Sequence, residues 1–338
     1  MRQARLKAPK TVAQAYYHCV SRVVNREFIF GDAEREYFVQ TMRKYERFYG
    51  VRVMTYCVMS NHFHILLEVP QRPETMPSDE ELLAEIKRIY SPEAFINIRW
   101  QLQQYRKIGA NDAAEALRES FFRRMWDVSY FMKSLKQRFT AYYNKKAGRK
   151  GTLWEERFRS VLVQSGDALM TMAAYIDLNP IRAKMVGRPE DYRWSGYAEA
   201  VAGRRTAQSA LRAVVETHAR QSLTNTEAME RYRVLMYGEG EAMKPAQNRT
   251  PGRKGMTPGR VQQVIKAKGK LSRWEMLRCK VRYFTDGAVL GTKEFVNEVF
   301  NAERHRFGPK RESGARRMRH VNAGDLRTLR DLRIDPIG

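Results

Sequence analysis

The stretch YCVMSNHFHILLEVP, residues 56–70, leaves the backbone few choices. Val51, Val53, Cys57, Val58 and Met59 form one apolar, partly β-branched run. Ser60 and Asn61 supply turn chemistry, and a second apolar run continues to Val69. The stretch therefore reads as two strands joined by a turn. Side chains on a strand alternate between faces. His62, His64 and Glu68 then share one face, while Phe63, Ile65, Leu67 and Val69 share the other. The second set is a core face. The first places two imidazoles ~7 Å apart along the strand, close enough to share one ion. An H-x-H pair alone is more often two structural histidines than a metal site, so the rest of the chain has to decide.

Composition narrows the partner. The 338 residues allow two domains and a sizeable core, and 43% hydrophobic residues is a globular content. A formal net charge of +25 points to a polyanion, with nucleic acid the first expectation. Cys19, Cys57 and Cys279 lie far apart and form no CxxC pair. That argues against a zinc ribbon or a disulfide scaffold and suits a reducing cytoplasm. No apolar run approaches membrane-spanning length, and the opening MRQARLKAPK lacks the apolar stretch of a secretory signal. The expected location is cytoplasmic, with the nucleoid.

Taken in order, residues 12–24 read as a first strand, with Tyr17, Cys19 and Ser21 alternating with His18, Val20 and Arg22. Arg22 near its end is a candidate phosphate contact. Asp32 opens a helix over 33–49 that turns Tyr37, Phe38, Met42, Tyr45 and Phe48 inward and stops at Gly50. Residues 71–128 read as a helical insertion, with a capping box at Ser78 and Glu81 and a second helix over roughly 93–107. From Ser129 a helix carries Phe131, Leu135, Phe139 and Tyr142 on a core side. Lys133, Lys136, Arg138, Lys145 and Lys146 crowd the rest of it. Trp154, Arg157 and Arg159 lead into a strand over 160–164. The next helix, ALMTMAAYIDLN, carries Tyr175, with Asn179 one turn on; Pro180 ends it and Arg182 follows. Pro180 also disfavours helical backbone at Asn179, so that spacing is approximate. Two further helices span about 206–221 and 225–237. From Ala242 to Trp274 the chain has no acid, and the final segment scans as three short helices. The third is capped by Thr292 and turns Phe295, Val296, Val299 and Phe300 inward.

Two histidines and one amide oxygen make an incomplete ligand set for a hard divalent cation, leaving positions for water and phosphate oxygens. Such an ion polarises a scissile phosphate and steadies the developing charge. Severing the strand still needs a nucleophile. A tyrosine needs a cation or base nearby to serve. Residue pattern alone does not select Tyr175 from the 17 tyrosines.

Four stretches together resemble the REP-associated tyrosine transposases of the HUH single-strand endonuclease superfamily. They are YYHCVSRVVNREFIF; YCVMSNHFHILLEVP, with its His-hydrophobic-His; GRKGTLWEERFRSVLVQ; and YIDLNPIRAKMV followed by DYRWSGY. The resemblance covers about residues 16–197 apart from the insertion. It implies an α+β fold: a ferredoxin-like antiparallel sheet with helices on one face, here with a helical insertion and a helical C-terminal domain. It implies that His62 and His64 bind Mg²⁺ or Mn²⁺, with Asn179 at the third ligand position. Tyr175 would be the nucleophile, forming a 5′-phosphotyrosine link to hairpin-forming single-stranded DNA. Arg22, Lys133, Lys136, Arg138, Trp154, Arg157, Arg159 and Arg182 are the expected DNA contacts.

The expected domains are a nuclease domain over 1–203 containing the 71–128 insertion, a helical extension over 204–241 and a basic linker over 242–256. A helix-turn-helix-like module over 257–320 and a tail over 321–338 complete the chain. The protein would act as a monomer or homodimer, without a membrane. Three rival readings stay open: a catalytically silent DNA-binding regulator, an RNA-hairpin-binding protein, and an unrelated metallohydrolase in which Tyr175 is dispensable.

Overall fold

A computed structural model of the chain describes residues 5–9, 12–237, 277, 283–318 and 323–329. The strand–helix–strand–strand start is β1 (Gln14–Arg22), α1 (Asp32–Phe48), β2 (Arg52–Val58) and β3 (His62–Pro70). Gly50 takes φ +60° just beyond α1, a left-handed conformation that suits glycine at a helix end. Three helices fill the insertion: α2 (Asp79–Ile89), α3 (Pro92–Lys107) and α4 (Asn111–Phe122). The Ser78–Glu81 capping box forms in both directions. Sequence reading missed α4, whose N-cap position holds Ala110 and makes no side-chain cap. There follow α5 (Val128–Lys146), β4 (Arg159–Val163), α6 (Asp167–Asp177), α7 (Asn179–Arg182), α8 (Gly196–Val201), α9 (Arg205–Ala219) and α10 (Asn225–Tyr237).

The fold is α+β. The strands β2-β3-β1-β4 are all antiparallel neighbours, the arrangement expected of the first part of the chain. Two expectations need correction. First, helices cover both faces of the sheet. Phe63, Ile65 and Leu67 join Phe38 and Met42 of α1 and Phe131, Leu135 and Phe139 of α5 in one core. Leu66, Val161 and Val163 on the opposite face join α6, α9 and α10 in a second core. The cause is α6, all ten of whose residues from Ala168 to Asp177 are buried. A helix apolar on every side must be covered on every side, so α8–α10 close over it.

Second, the C-terminal residues are not an all-helical domain. β5 (Val289–Gly291) pairs in parallel with β4, and β7 (Arg327–Leu329) and β6 (Arg316–Arg317) follow it in antiparallel order. The result is one mixed seven-stranded sheet among the described residues. The helix capped by Thr292 forms as read, over Lys293–Ala302, and buries Phe295, Val296, Val299 and Phe300. The basic tract over 242–274, Cys279 and the first two of the three expected C-terminal helices, apart from the end of the second, lie outside the described residues.

At Gly196, α8 packs directly on β2. A Cβ on Gly196 would overlap Thr55 Oγ1 and stand 2.9 Å from Thr55 Cα. Gly196→Ala is therefore expected to destabilise the protein by about 1–3 kcal/mol, the usual cost of overpacking, read as a lowered urea midpoint. An unchanged midpoint would show that the contact relaxes freely.

Candidate active site

In β1 and β3, Val20 stands opposite His64 and Arg22 opposite His62. Opposed residues share a face. His18 lies diagonally from His64, with ring centroids 5.1 Å apart and His18 Nε2 2.9 Å from His64 Nδ1. The other ring nitrogen of His18, Nδ1, is 2.8 Å from the Phe284 carbonyl oxygen. His62 and His64 have ring centroids 5.1 Å apart, and His62 Nδ1 is 2.7 Å from Asn61 Oδ1. Thus the face that period two assigns to His62 and His64 holds three imidazoles. Burial pushes the His18 pKa down to about 4, opposed by the Phe284 carbonyl and reinforced by the Arg182 charge. Burial, then the neighbouring His18 and His62, hold His64 well below the usual histidine range.

Tyr175 comes to this face from α6. Its ring meets His18 edge-on at 6.5 Å and Phe284 at 4.8 Å, and it is 2% exposed. The Arg182 guanidinium carbon lies 3.9 Å from the Tyr175 ring centroid, a cation–π distance. Arg182 also donates to the Tyr175 carbonyl, and its Nη1 donates to the Leu277 carbonyl at 2.6 Å. Asn179 opens α7 directly after Leu178 ends α6, and its Nδ2 donates to the Ile176 carbonyl at 3.1 Å. The helix thus breaks at Leu178, not at the proline, and restarts with Asn179 and Pro180 in the first turn of α7, where a missing N–H costs no hydrogen bond. His62, His64 and Tyr175 therefore gather on one sheet face of one chain.

The expected DNA contacts divide between the two layers: Arg22, opposite His62, Arg159, opposite Val20, and Arg182, against Tyr175, lie on the histidine face, whereas Lys133, Lys136, Arg138 and Trp154 belong to the α5 side. α5 packs against the sheet face opposite the histidines, so the exposed Lys133 and Arg138 are not on the histidine face. Arg157 is exposed. Arg159 is tied to Glu156 at 2.8 Å and to Asp286 at 3.6 Å. Arg22, at the end of β1, is half-buried, and burial lowers its pKa. Trp154 is a core residue: its Nε1 donates to Thr140 Oγ1 at 2.9 Å, and its ring packs on Phe63 and Phe139.

Among the described residues, no group of three or more His, Cys, Asp or Glu side chains is placed to hold a metal ion. His62 and His64 fit a two-imidazole site whose remaining positions belong to non-protein oxygens. His18 is not a third ligand in this arrangement, because both its ring nitrogens already face partners.

Residues 11–107 match the family of IS200-like transposases. The matched stretch runs from β1 through α3, so it contains His18, His62 and His64 and stops before Tyr175. No curated protein matches the chain. Among solved structures, the chain is similar to a REP-associated tyrosine transposase bound to a REP hairpin. That structure is 14% identical, the likeness covers 60% of this chain and 87% of that one, and the TM-score is 0.36. Among the described residues, no helix is long and apolar enough to cross a membrane.

Sequence reasoning missed the part played by His18. Its face was legible from the alternation along β1, but not that β1 would lie beside β3. It also read Lys136 as a surface cation. Lys136 is buried, donates from Nζ to the Glu156 carbonyl at 2.8 Å and sits over the Trp154 ring. Burial pushes its pKa down to about 7, against a partial pull upward from Glu156. A lysine depressed on folding costs stability wherever it must be charged, below about pH 7. The cost fades as pH rises toward the unfolded value near 10.4. Wild type is therefore expected to gain stability relative to Lys136→Met across that window, approaching about 1.4 kcal/mol per pH unit, in urea titrations at successive pH. Parallel curves for the two proteins would overturn this assignment.

Proposed function

We propose that this protein is a metal-dependent single-strand DNA endonuclease and strand transferase, a transposase that uses Tyr175 as nucleophile on hairpin-forming DNA. The observation that carries the reading is the packing of Tyr175 against the histidine face of its own chain. The family match over the histidine-bearing stretch supports the same class, and the net charge of +25 suits a polyanionic substrate. His62 and His64 would hold Mg²⁺ or Mn²⁺, with Asn179 as the further candidate ligand from its own side of the site. A divalent cation there would supply Lewis-acid polarisation of the scissile phosphate.

In the proposed step the Tyr175 oxygen attacks phosphorus as its phenolic proton departs. The bond from phosphorus to the 3′ oxygen breaks, and that oxygen leaves as a 3′-hydroxyl after taking up a proton. The 5′ phosphate stays on Tyr175 as a phosphodiester, so a second 3′-hydroxyl can reverse the step on a new strand. Arg182 stands against the Tyr175 ring and would place a positive charge beside the nucleophile. The Tyr175 ring stands 6.5 Å from His18, which in turn faces His64, so nucleophile and histidine pair would serve one bound phosphate from the same side of the sheet.

One observation favours the rival reading of a silent DNA-binding regulator. Tyr175 is 2% exposed and its ring is covered by Phe284, so a strand reaches it only when that ring moves aside. A covalent-trapping assay separates the two. Labelled single-stranded hairpins from around the gene's own locus are incubated with Mn²⁺ and run on a denaturing gel beside Tyr175→Phe. The enzyme gives a protein–DNA band that the variant lacks. Tight binding without a band from any of these hairpins would overturn catalysis in favour of the regulator. Preference for RNA in a competition between the two hairpin types would point to RNA.

A further inference from the structure

The hydrogen bonds that join His18 to His64 begin at a backbone carbonyl well outside the family-matched stretch. His18 is fully buried, with Nδ1 2.8 Å from the Phe284 carbonyl oxygen and Nε2 2.9 Å from His64 Nδ1. A carbonyl oxygen only accepts, so the proton between His18 and Phe284 sits on His18 Nδ1. An imidazole with no solvent contact stays neutral, because charging it forfeits hydration that nothing here replaces. His18 Nε2 is then a lone-pair acceptor, and the nitrogen facing it, His64 Nδ1, has to donate. His64 is likewise buried and neutral, which leaves its lone pair on Nε2.

A separate bond sets the second ring. Asn61 Nδ2 donates to the Arg26 carbonyl at 3.0 Å, which fixes which end of the amide is oxygen. Asn61 Oδ1 then faces His62 Nδ1 at 2.7 Å and can only accept. His62 Nδ1 therefore carries a proton, and in the neutral ring the lone pair is on Nε2. Two independent acceptors, one passed through His18 and one from Asn61, lead to the same tautomer at both histidines.

We propose that His18 is a positioning residue for a divalent-metal centre: with the Phe284 carbonyl it locks His64 as the Nδ1–H tautomer, so that His64 offers Nε2 to an ion held beside His62. The inference rests on the reading of His62 and His64 as a metal-binding pair. It also gives the C-terminal stretch a task in the site. The acceptor at the head of the relay is a main-chain atom of Phe284, so side-chain substitution there leaves the relay intact. Second-sphere partners of metal-ligating histidines commonly set ring orientation and basicity in this way, and losing one costs about 10–100-fold in affinity.

The first test reads the metal-free protein. Long-range proton–nitrogen spectra of histidine-labelled wild type, assigned with single histidine variants, are expected to show His18, His62 and His64 each protonated on Nδ1. A proton on Nε2 of His64 would overturn the relay. The second test follows Mn²⁺ by electron paramagnetic resonance, with thermal melting to establish that each variant is folded. His64→Ala is expected to abolish binding. His18→Leu keeps the bulk and removes the acceptor, and should weaken binding by about 10–100-fold. His18→Gln places an amide oxygen near the position of Nε2 and should recover much of that loss. A role in packing alone would leave Leu and Gln with equal affinities, and that result overturns the proposal while leaving the metal site standing. Wild type that binds no Mn²⁺ at any concentration would overturn the metal reading and the role of His18 together.

Discussion

Removal of water from the histidine-bearing face of the sheet is the constraint on which the rest of this structure depends. With helices on one face alone, His18, His62 and His64 would be solvated rings in mixed tautomers. Here α6 and the helices beyond it close that face, and His18 and His64 become buried polar groups that must each find a partner. They find one another and the Phe284 carbonyl. The same burial governs Asp177, two residues past Tyr175. Thr55 and Tyr232 each donate to its carboxyl at 2.6 Å, joining β2, α6 and α10 through one group. Burial raises its pKa to about 7 despite those donors. His18, His64 and Asp177 thus act as connectors between elements, each satisfied from a different part of the chain.

The opposite layer is built from contrasting material. Phe30, Phe38, Phe63, Phe139 and Trp154 pack ring against ring between α1, α5 and the sheet. Aromatic packing of this kind stabilises without asking for hydrogen-bond partners, apart from the Trp154 indole, which Thr140 satisfies. One face therefore supplies apolar stability, and the other tolerates the cost of a buried imidazole cluster. β3 belongs to both, since Phe63 and His64 are consecutive residues on opposite sides. The insertion adds to the apolar layer through Leu82, Ile86, Phe121 and Phe122 and does not touch the histidine layer's core.

Local rules carried the reading of β3, α1, α2 and the helix after Thr292, because each is marked by alternation, helical spacing or a cap in its own few residues. The facing of His62 and His64 followed from period two alone. Rules of that range could not supply the partners. The diagonal meeting of His18 with His64 depends on pairing between β1 and β3, whose closest residues are 40 positions apart. The strands β5–β7 are two or three residues long, too short to show alternation, and exist because β4 offers them an edge. Lys136 was misread for a related reason. Helical spacing places it one residue beyond the Leu135 stripe, a boundary position, and only the carbonyl of Glu156 decides that it turns inward. Tyr175 was selected by family resemblance, and its neighbourhood of His18, Arg182 and Phe284 comes from three separate segments.

The arrangement around Tyr175 sets a requirement on how such a site could work. Arg182 faces the ring and also donates to two main-chain carbonyls, so its position is fixed by the fold and not by a substrate. A cation held in that way is preorganised: it would need no rearrangement if charge were to develop on the phenol oxygen, as the proposed step requires. His18 and His64 are likewise held by partners within the protein. Phe284 is differently placed, because its ring lies on Tyr175 while its carbonyl holds His18. Rotation of the side chain alone would uncover the tyrosine without breaking the hydrogen bond to His18. Displacement of the whole Tyr283–Asp286 turn would uncover Tyr175 and release His18 at the same moment. If a strand were to reach Tyr175, only the smaller of these two motions would leave the hydrogen bond from His18 to the Phe284 carbonyl in place.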